Sequence, residues 1–271
     1  LNAISCGLFV SRVLRNEALS PTCRLLIIQR PEEFPAALPG QFVSIRVSDA
    51  HIPLLRRPFS IMDLTKEEIT LLVKIVGRGT AMIAGRQAGE ELDMMGPLGG
   101  AGFPPPGGEG AAFVAGGTGL APVVFAARAW RRSGLLGDSI LFYGASSGDE
   151  IFEDLAAADF GDVRFATIDG SAGFHGDVVA LCESFLQGDS PPGDLLYSCG
   201  PRAMAEALVE RVEERFKDHY TSLETVMACG VGACRGCTVP IASSGGIVFK
   251  SVCSDGTVFR ARDIAWGEWE D

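Results

Sequence analysis

Four cysteines stand at Cys229-x4-Cys234-x2-Cys237-x15-Cys253, the first three inside Ala228-Cys229-Gly230-Val231-Gly232-Ala233-Cys234-Arg235-Gly236-Cys237. Three clustered thiolates followed by a distant fourth is the ligand spacing of a plant-type [2Fe–2S] cluster. Structural zinc also takes four thiolates, but it favours two separated Cys-x2-4-Cys knuckles. The glycines fit the cluster as well. Backbone N–H groups must approach its sulfides, and Gly230, Gly232 and Gly236 carry no Cβ to obstruct them. With Cys229, Cys234, Cys237 and Cys253 as metal ligands, the expected chemistry is one-electron transfer. The other cysteines, Cys6, Cys23, Cys182 and Cys199, are too scattered to suggest a disulfide framework and read as reduced thiols.

A second set lies in Arg56-Arg57-Pro58-Phe59-Ser60-Ile61, which places a cation, a rigid turn, an aromatic face and a hydroxyl side by side. In a flavin dinucleotide site, Arg57 would pair with the pyrophosphate and Phe59 would pack against the flavin or its ribityl chain. The Ser60 hydroxyl would approach flavin N5 as a donor. The same residues could equally form an ordinary strand with exposed arginines. Val76-Gly77-Arg78-Gly79-Thr80 follows the next strand and opens an expected short helix over Ala81–Arg86, where bare N–H groups would receive phosphate oxygens. Alone it could be a simple turn; beside Arg57 it suggests an FAD site.

Gly116-Gly117-Thr118-Gly119-Leu120-Ala121-Pro122 sits between an apolar run and a helical one, as a nucleotide-binding turn does, and Pro122 is tolerated in a first helical turn. It lacks the P-loop lysine and the third glycine of the Gly-x-Gly-x-x-Gly pattern. Cys199-Gly200-Pro201 is a second strand-to-helix turn, and two such turns on one sheet define a cleft. Tyr143-Gly144-Ala145-Ser146-Ser147-Gly148-Asp149-Glu150 offers no arginine or lysine to a 2′-phosphate. Asp149 or Glu150 would oppose one and could bind a free ribose hydroxyl, which favours NAD; both carboxylates could also simply begin a helix. His51, His175 and His219 read as solvated or structural, since hydride transfer between nicotinamide and flavin needs contact geometry rather than a strong base.

The elements that must hold these residues change grammar along the chain. From Gly7 to Met95, short β-type runs at Leu8–Leu14, Cys23–Gln29, Gln41–Val47, Phe59–Met62 and Ile69–Val76 alternate with turn residues, as in an antiparallel barrel. Glycine- and proline-rich stretches at 96–100 and 104–108 mark a domain junction. Apolar strands Ala111–Ala115, Ser139–Tyr143, Val163–Ile168 and Asp194–Ser198 then alternate with helices Leu120–Arg132, Asp177–Leu186 and Arg202–Lys217, the pattern of a parallel α/β sheet. After Tyr220 a small cysteine-rich unit has apolar runs at Val239–Ile241, Ile247–Phe249 and Thr257–Phe259 and is organised by its cluster. The expected fold is therefore a multidomain β plus α/β chain: an FAD-binding β-barrel at 1–101, an NAD-binding α/β domain at 102–219 and a [2Fe–2S] domain at 220–271.

In composition, 34 acidic against 23 basic residues argue against a nucleic-acid surface. No apolar run is long enough to span a bilayer, and Leu1-Asn2-Ala3-Ile4-Ser5 lacks a signal-peptide pattern, so the chain reads as cytoplasmic.

Arg-Pro-Phe-Ser, Gly-Arg-Gly-Thr, Gly-Gly-Thr-Gly-Leu-Ala-Pro and Cys-Gly-Pro, in that order, resemble the ferredoxin–NADP reductase superfamily over nearly the whole chain. The C-terminal cysteine motif, with Val252-Cys253-Ser254-Asp255-Gly256-Thr257-Val258-Phe259 and Asp169-Gly170-Ser171-Ala172-Gly173, is similar to one branch, the electron-transfer subunits of type B dihydroorotate dehydrogenases. The resemblance implies FAD, one [2Fe–2S] cluster and NAD as co-substrate. It also implies an FMN-containing catalytic partner that oxidises dihydroorotate to orotate in pyrimidine biosynthesis, in a heterotetramer of two of each. It carries FAD roles onto Arg57, Pro58, Phe59, Ser60, Lys74, Val76, Gly79 and Thr80. The nicotinamide cleft falls to Gly117, Thr118, Gly119, Pro122, Cys199, Gly200 and Pro201, with Glu150 added from the ribose argument. A neighbouring branch, the flavin subunits of sulfide dehydrogenase and bifurcating transhydrogenase, often has aspartate as first cluster ligand, where this chain has Cys229. The alternatives are a reductase subunit serving a sulfur reductase, transhydrogenase or oxygenase, and a module whose cluster is a sensor or structural clip.

Overall fold

The computed structural model describes residues 6–48, 50 and 52–269; His51 and Leu1–Ser5 lie outside them. The barrel comprises β1 (Gly7–Ala18), β2 (Cys23–Gln29), β3 (Phe42–Ile45), β4 (Arg57–Leu64), β5 (Glu68–Lys74) and β6 (Glu91–Leu98), closed in the order β1-β2-β5-β4-β3-β6. Alternation dictates its core. Ile69, Leu71 and Val73 of β5 point inward with Leu26, Ile28, Val43, Ile45 and Ile61, while Leu72, on the other face, packs into the neighbouring domain with Cys23 and Met62. β6 was not among the strands expected from sequence, because Gly96-Pro97 near its end reads as a break; it pairs with both β1 and β3 and so closes the barrel. The short helix α1 spans Arg78–Ala84, starting three residues and ending two residues earlier than expected.

The second unit runs β7 (Ala111–Gly116), α2 (Leu120–Arg132), β8 (Ser139–Ala145), α3 (Glu153–Ala156), β9 (Asp162–Thr167), β10 (Phe174–His175), α4 (Val178–Gly188), β11 (Leu195–Cys199), α5 (Arg202–Arg211) and β12 (Asp218–Ser222). Residues Ala111–Ala115 of β7 are fully buried, as a central parallel strand covered on both faces requires. Strand order is β10-β9-β8-β7-β11-β12, so the direction of winding reverses between β7 and β11. A crevice opens at such a switch point. α2 is buried on most of its surface because it is sandwiched: Phe125 enters the barrel core while Val123 and Val124 enter the sheet core. Its last turns bind the two units ionically. Arg128 and Arg132 both donate to Asp63 of β4, at 3.0 and 2.8 Å, and Arg128 also holds Asp159 at 2.6 Å.

Two expectations are corrected here. The helix read as Arg202–Lys217 ends at Arg211, and the chain passes through a 3-10 turn at Glu213–Arg215 into β12. The expected 219/220 domain boundary therefore falls inside a strand. The C-terminal segment forms the hairpin β13 (Thr238–Ser243) and β14 (Gly246–Ser251), but β15 (Val258–Arg260) leaves it to join the nucleotide sheet, antiparallel to β12. His219 lies in β12 and is wholly buried, whereas His175 is exposed. No described helix is long and apolar enough to cross a membrane.

Candidate functional site

The cysteine loop is shaped by backbone that few side chains allow. Gly230 and Gly232 have φ of +74° and +78°, and Arg235 is itself left-handed at +57°. A Cβ on Gly232 would meet Ser254 Oγ at 2.6 Å. Gly236 differs from the sequence reading: its φ is not positive, and a Cβ there would find only Cys234 Sγ at an ordinary 3.7 Å. The N–H groups of Val231 and Cys234 donate to Cys229 Sγ at 3.4 Å, and that of Gly232 donates to Cys253 Sγ at 3.1 Å.

The four thiols sort into two pairs, Cys229 with Cys234, and Cys237 with Cys253, whose sulfurs lie 3.2 Å apart. No three His, Cys, Asp or Glu groups among the described residues converge on a single ion. Two thiol pairs joined by sulfur-directed N–H groups fit a two-iron cluster better than one zinc. Backbone donors, that of Cys234 first, lower the Cys229 thiol to about 6, whereas burial raises Cys253 to about 12. Cys237 and Cys253 pack in one apolar core with Phe42 and Leu98 of the barrel and Leu223. Gly99 locks this arrangement, since its N–H donates to the Cys253 carbonyl and its own carbonyl accepts from Thr257 N, both at 3.0 Å.

Beside that core lies a cavity of about 270 Å³ lined by Pro58, Phe59, Ser60, Lys74, Val76 and Thr80, together with Phe42, Leu223, Thr225 and Thr257. Six of the eight expected FAD residues thus face one space. The other two touch each other at its edge: a Cβ on Gly79 would meet Arg57 Nε at 2.8 Å. The Thr225 hydroxyl is buried here without a hydrogen-bond partner, which suits a cavity wall awaiting a polar ligand. One expectation changes. The Val76 and Gly77 N–H groups are not bare, because Thr80 Oγ1 accepts from them at 2.9 and 3.1 Å.

A second cavity, of about 460 Å³, occupies the switch point. Gly117, Thr118, Glu150 and Pro201 line it, whereas Gly119, Pro122, Cys199 and Gly200 stand behind the lining. A Cβ on Gly119 would meet the Cys199 carbonyl oxygen at 2.1 Å, so the two glycine turns are packed backbone to backbone. Cys199, expected at the nicotinamide cleft, contributes that carbonyl rather than its sulfur; the thiol is fully enclosed, and burial holds its pKa well above the usual value. Glu150 does not stand free for a ribose, since Lys74 Nζ lies 2.6 Å from its Oε1. Lys74, Thr118 and Glu224 line both cavities and mark where they meet. Glu224 is recessed, and desolvation by surrounding protein raises its pKa although solvent reaches its surface. No sequence pattern pointed to Glu224, Thr225 or Arg211, another lining residue; only the spacing Ala203, Met204, Ala207, Arg211 along α5, one helical face, could have suggested the last.

The family profile described as the iron–sulfur cluster binding domain of dihydroorotate dehydrogenase B matches residues 224–265. The chain is 40% identical over 231 residues to the dihydroorotate dehydrogenase B (NAD(+)) electron transfer subunit of Bacillus caldolyticus, covering 83% of this chain and 86% of that one. It is 41% identical over 232 residues to the counterpart from Bacillus mycoides (strain KBAB4), with the same coverage. Among solved structures, it is similar to an NADH-dependent reduced ferredoxin-NADP oxidoreductase, with a TM-score of 0.82 and 25% identity, covering 97% of this chain and 92% of that one. A ferredoxin NADP+ reductase from Neisseria gonorrhoeae with bound FAD and NADP shares the fold at a TM-score of 0.62 and 18% identity, over 77% of this chain and 91% of that one.

Proposed function

Because the chain belongs to the family of dihydroorotate dehydrogenase B electron transfer subunits, we propose that it relays electrons from an FMN-bearing catalytic subunit to NAD+, so that dihydroorotate oxidation to orotate is coupled to NAD reduction. The chain is an NAD-linked oxidoreductase subunit with FAD and a [2Fe–2S] cluster. FAD supplies the exchange between two-electron hydride chemistry and single electrons, and the cluster supplies the one-electron relay.

The observation that carries this reading is continuity. Phe42 and Leu223 line the flavin cavity and also pack against Cys237 and Cys253, while Lys74, Thr118 and Glu224 join that cavity to the nucleotide one. Pro58, Phe59, Ser60 and Thr80 would hold the flavin, with Arg57 at the pyrophosphate. Gly117, Thr118 and Pro201 would seat the dinucleotide. The residues position two rings and exclude water; none needs to act as an acid or base. Cys229, Cys234, Cys237 and Cys253 would hold the cluster, with Cys234 at the exposed end.

A partner surface is available on the same module: Ile247, Val248 and Phe249 of β14 are each 42–55% exposed, Val226 stands in the open just before the cysteine loop, and Val231 is exposed within it. We propose a heterotetramer of two chains of each kind in the cytoplasm. The test is reconstitution. Alone, the chain should oxidise NADH with an artificial acceptor and show no dihydroorotate activity; with the FMN subunit it should couple the two reactions, and Cys234→Ser should abolish coupling while sparing flavin-dependent NADH oxidation. Efficient reduction of a ferredoxin, sulfur compound or oxygenase without any such complex would overturn the assignment.

A further inference from the structure

The basic side chains lining the nucleotide cavity, Lys74 and Arg211, are each already engaged by a carboxylate. Lys74 is held by Glu150. Arg211 donates through Nε to Glu183 Oε2 at 3.0 Å and through Nη2 to the same oxygen, while its Nη1 lies 3.9 Å from Asp177 Oδ1. Asp177, Glu150 and Glu224 line the cavity too, so with Glu150 set against Lys74 two further carboxylates face an arginine that Glu183 already holds. Glu183 stands just outside it on α4.

We propose that Glu183 and Asp177 set the nucleotide selectivity of this chain by withholding Arg211 from a 2′-phosphate; this rests on the NAD-linked reading above. An NADP 2′-phosphate carries nearly two negative charges and is recognised by a free arginine fork. To take Arg211, the phosphate must displace Glu183 and leave that carboxylate, and Asp177, beside a new dianion. NAD carries a neutral hydroxyl there and disturbs neither contact. Selectivity thus resides on the wall formed by α4 and α5. It does not reside at Asp149, which is exposed and outside the lining, nor at Glu150, which is tied to Lys74.

The flavin-loaded full chain would be titrated by calorimetry with 5′-AMP and with adenosine 2′,5′-bisphosphate, and assayed with NADH and NADPH. Glu183→Gln should strengthen bisphosphate binding roughly tenfold while 5′-AMP binding stays within about twofold, and it should raise the NADPH-to-NADH ratio of kcat/KM by a similar factor. Asp177→Asn, which keeps the helix cap, should act in the same direction and more weakly, its contact being longer. Adding Arg211→Gln to Glu183→Gln should erase the gain. The proposal fails if Glu183→Gln leaves both ratios unchanged, or if the gain survives loss of Arg211. A wild-type chain that cannot oxidise NADH would overturn the NAD-linked reading instead, and the two adenylate affinities, measured without turnover, would still decide this one.

Discussion

Arg57 donates to the Leu55 and Arg56 carbonyls at 2.7 and 3.2 Å, which fixes its guanidinium beside Gly79. If that fork meets the flavin pyrophosphate, Arg57→Ala removes a charge-assisted contact of about 1.5–3 kcal/mol, or roughly a ten- to hundredfold loss of FAD affinity. Flavin retained through dialysis measures it, and NADH oxidation should recover when FAD is added. Gly79→Ala should also lower flavin retention, because the new methyl would meet Arg57 Nε at 2.8 Å and push the guanidinium from the position its hydrogen bonds fix. Undiminished flavin in Arg57→Ala would refute the role. The motifs that hold these residues were legible in the sequence, because each is a contiguous set of residue types that would suit one ligand. Thr225, Glu224 and Thr257 were not, since they reach the same cavities from far along the chain with no local signature.

The strand β12 shows why some elements escape sequence reading. Asp-His-Tyr-Thr-Ser carries little apolar signal and follows directly on a segment that reads as helix to Lys217, yet it is paired on both sides, and His219, Thr221 and Ser222 are buried. His219 Nε2 and Ser198 Oγ share a 2.7 Å hydrogen bond, and Nδ1 has no partner nearer than Glu213 Oε1 at 3.7 Å. Burial first, and then the Arg262 charge, lower the imidazole to about 3. The folded chain therefore leaves His219 neutral while the unfolded chain protonates it near the ordinary histidine value of 6.5. Stability from this group is complete above that pH and falls as pH drops toward 3, by ~1.4 kcal/mol per pH unit, or about 2 kcal/mol by pH 5. Glu213 acts oppositely: burial raises its carboxyl, so its contribution declines as pH rises. Denaturant unfolding of wild type and His219→Gln at pH 7 and pH 5 separates the two. The wild type should lose about 2 kcal/mol more than the variant on acidification; equal losses would place the proton elsewhere. By contrast β7, α2 and α4 were readable, because continuous apolar runs and the Asp177 cap state their type locally.

Across the whole molecule, the Asp63–Arg128–Asp159 network joins barrel to nucleotide sheet with mostly buried carboxylates, 12% and 10% exposed. Asp63→Asn should lower the unfolding free energy by about 1.5–3 kcal/mol. The exposed Arg12–Glu91 pair at 3.7 Å makes the contrast, as Arg12→Gln should change it by less than about 1 kcal/mol. Chemical denaturation reads both, and equal effects would refute a structural role for the network. The domain order was legible in the glycine- and proline-rich break at 96–108 and in the cysteine loop, but the return of β15 into the sheet was not, because three residues of strand state no partner. The Thr257 hydroxyl donates to the Gly40 carbonyl at 2.6 Å across 217 residues of chain, and Thr257 also walls the flavin cavity. At ordinary ribosomal speeds that wall emerges roughly 10–40 s after Gly40. A nascent barrel therefore waits with this side open, and if the cavity holds the flavin as proposed, loading belongs after translation of the cysteine module rather than during synthesis of the barrel.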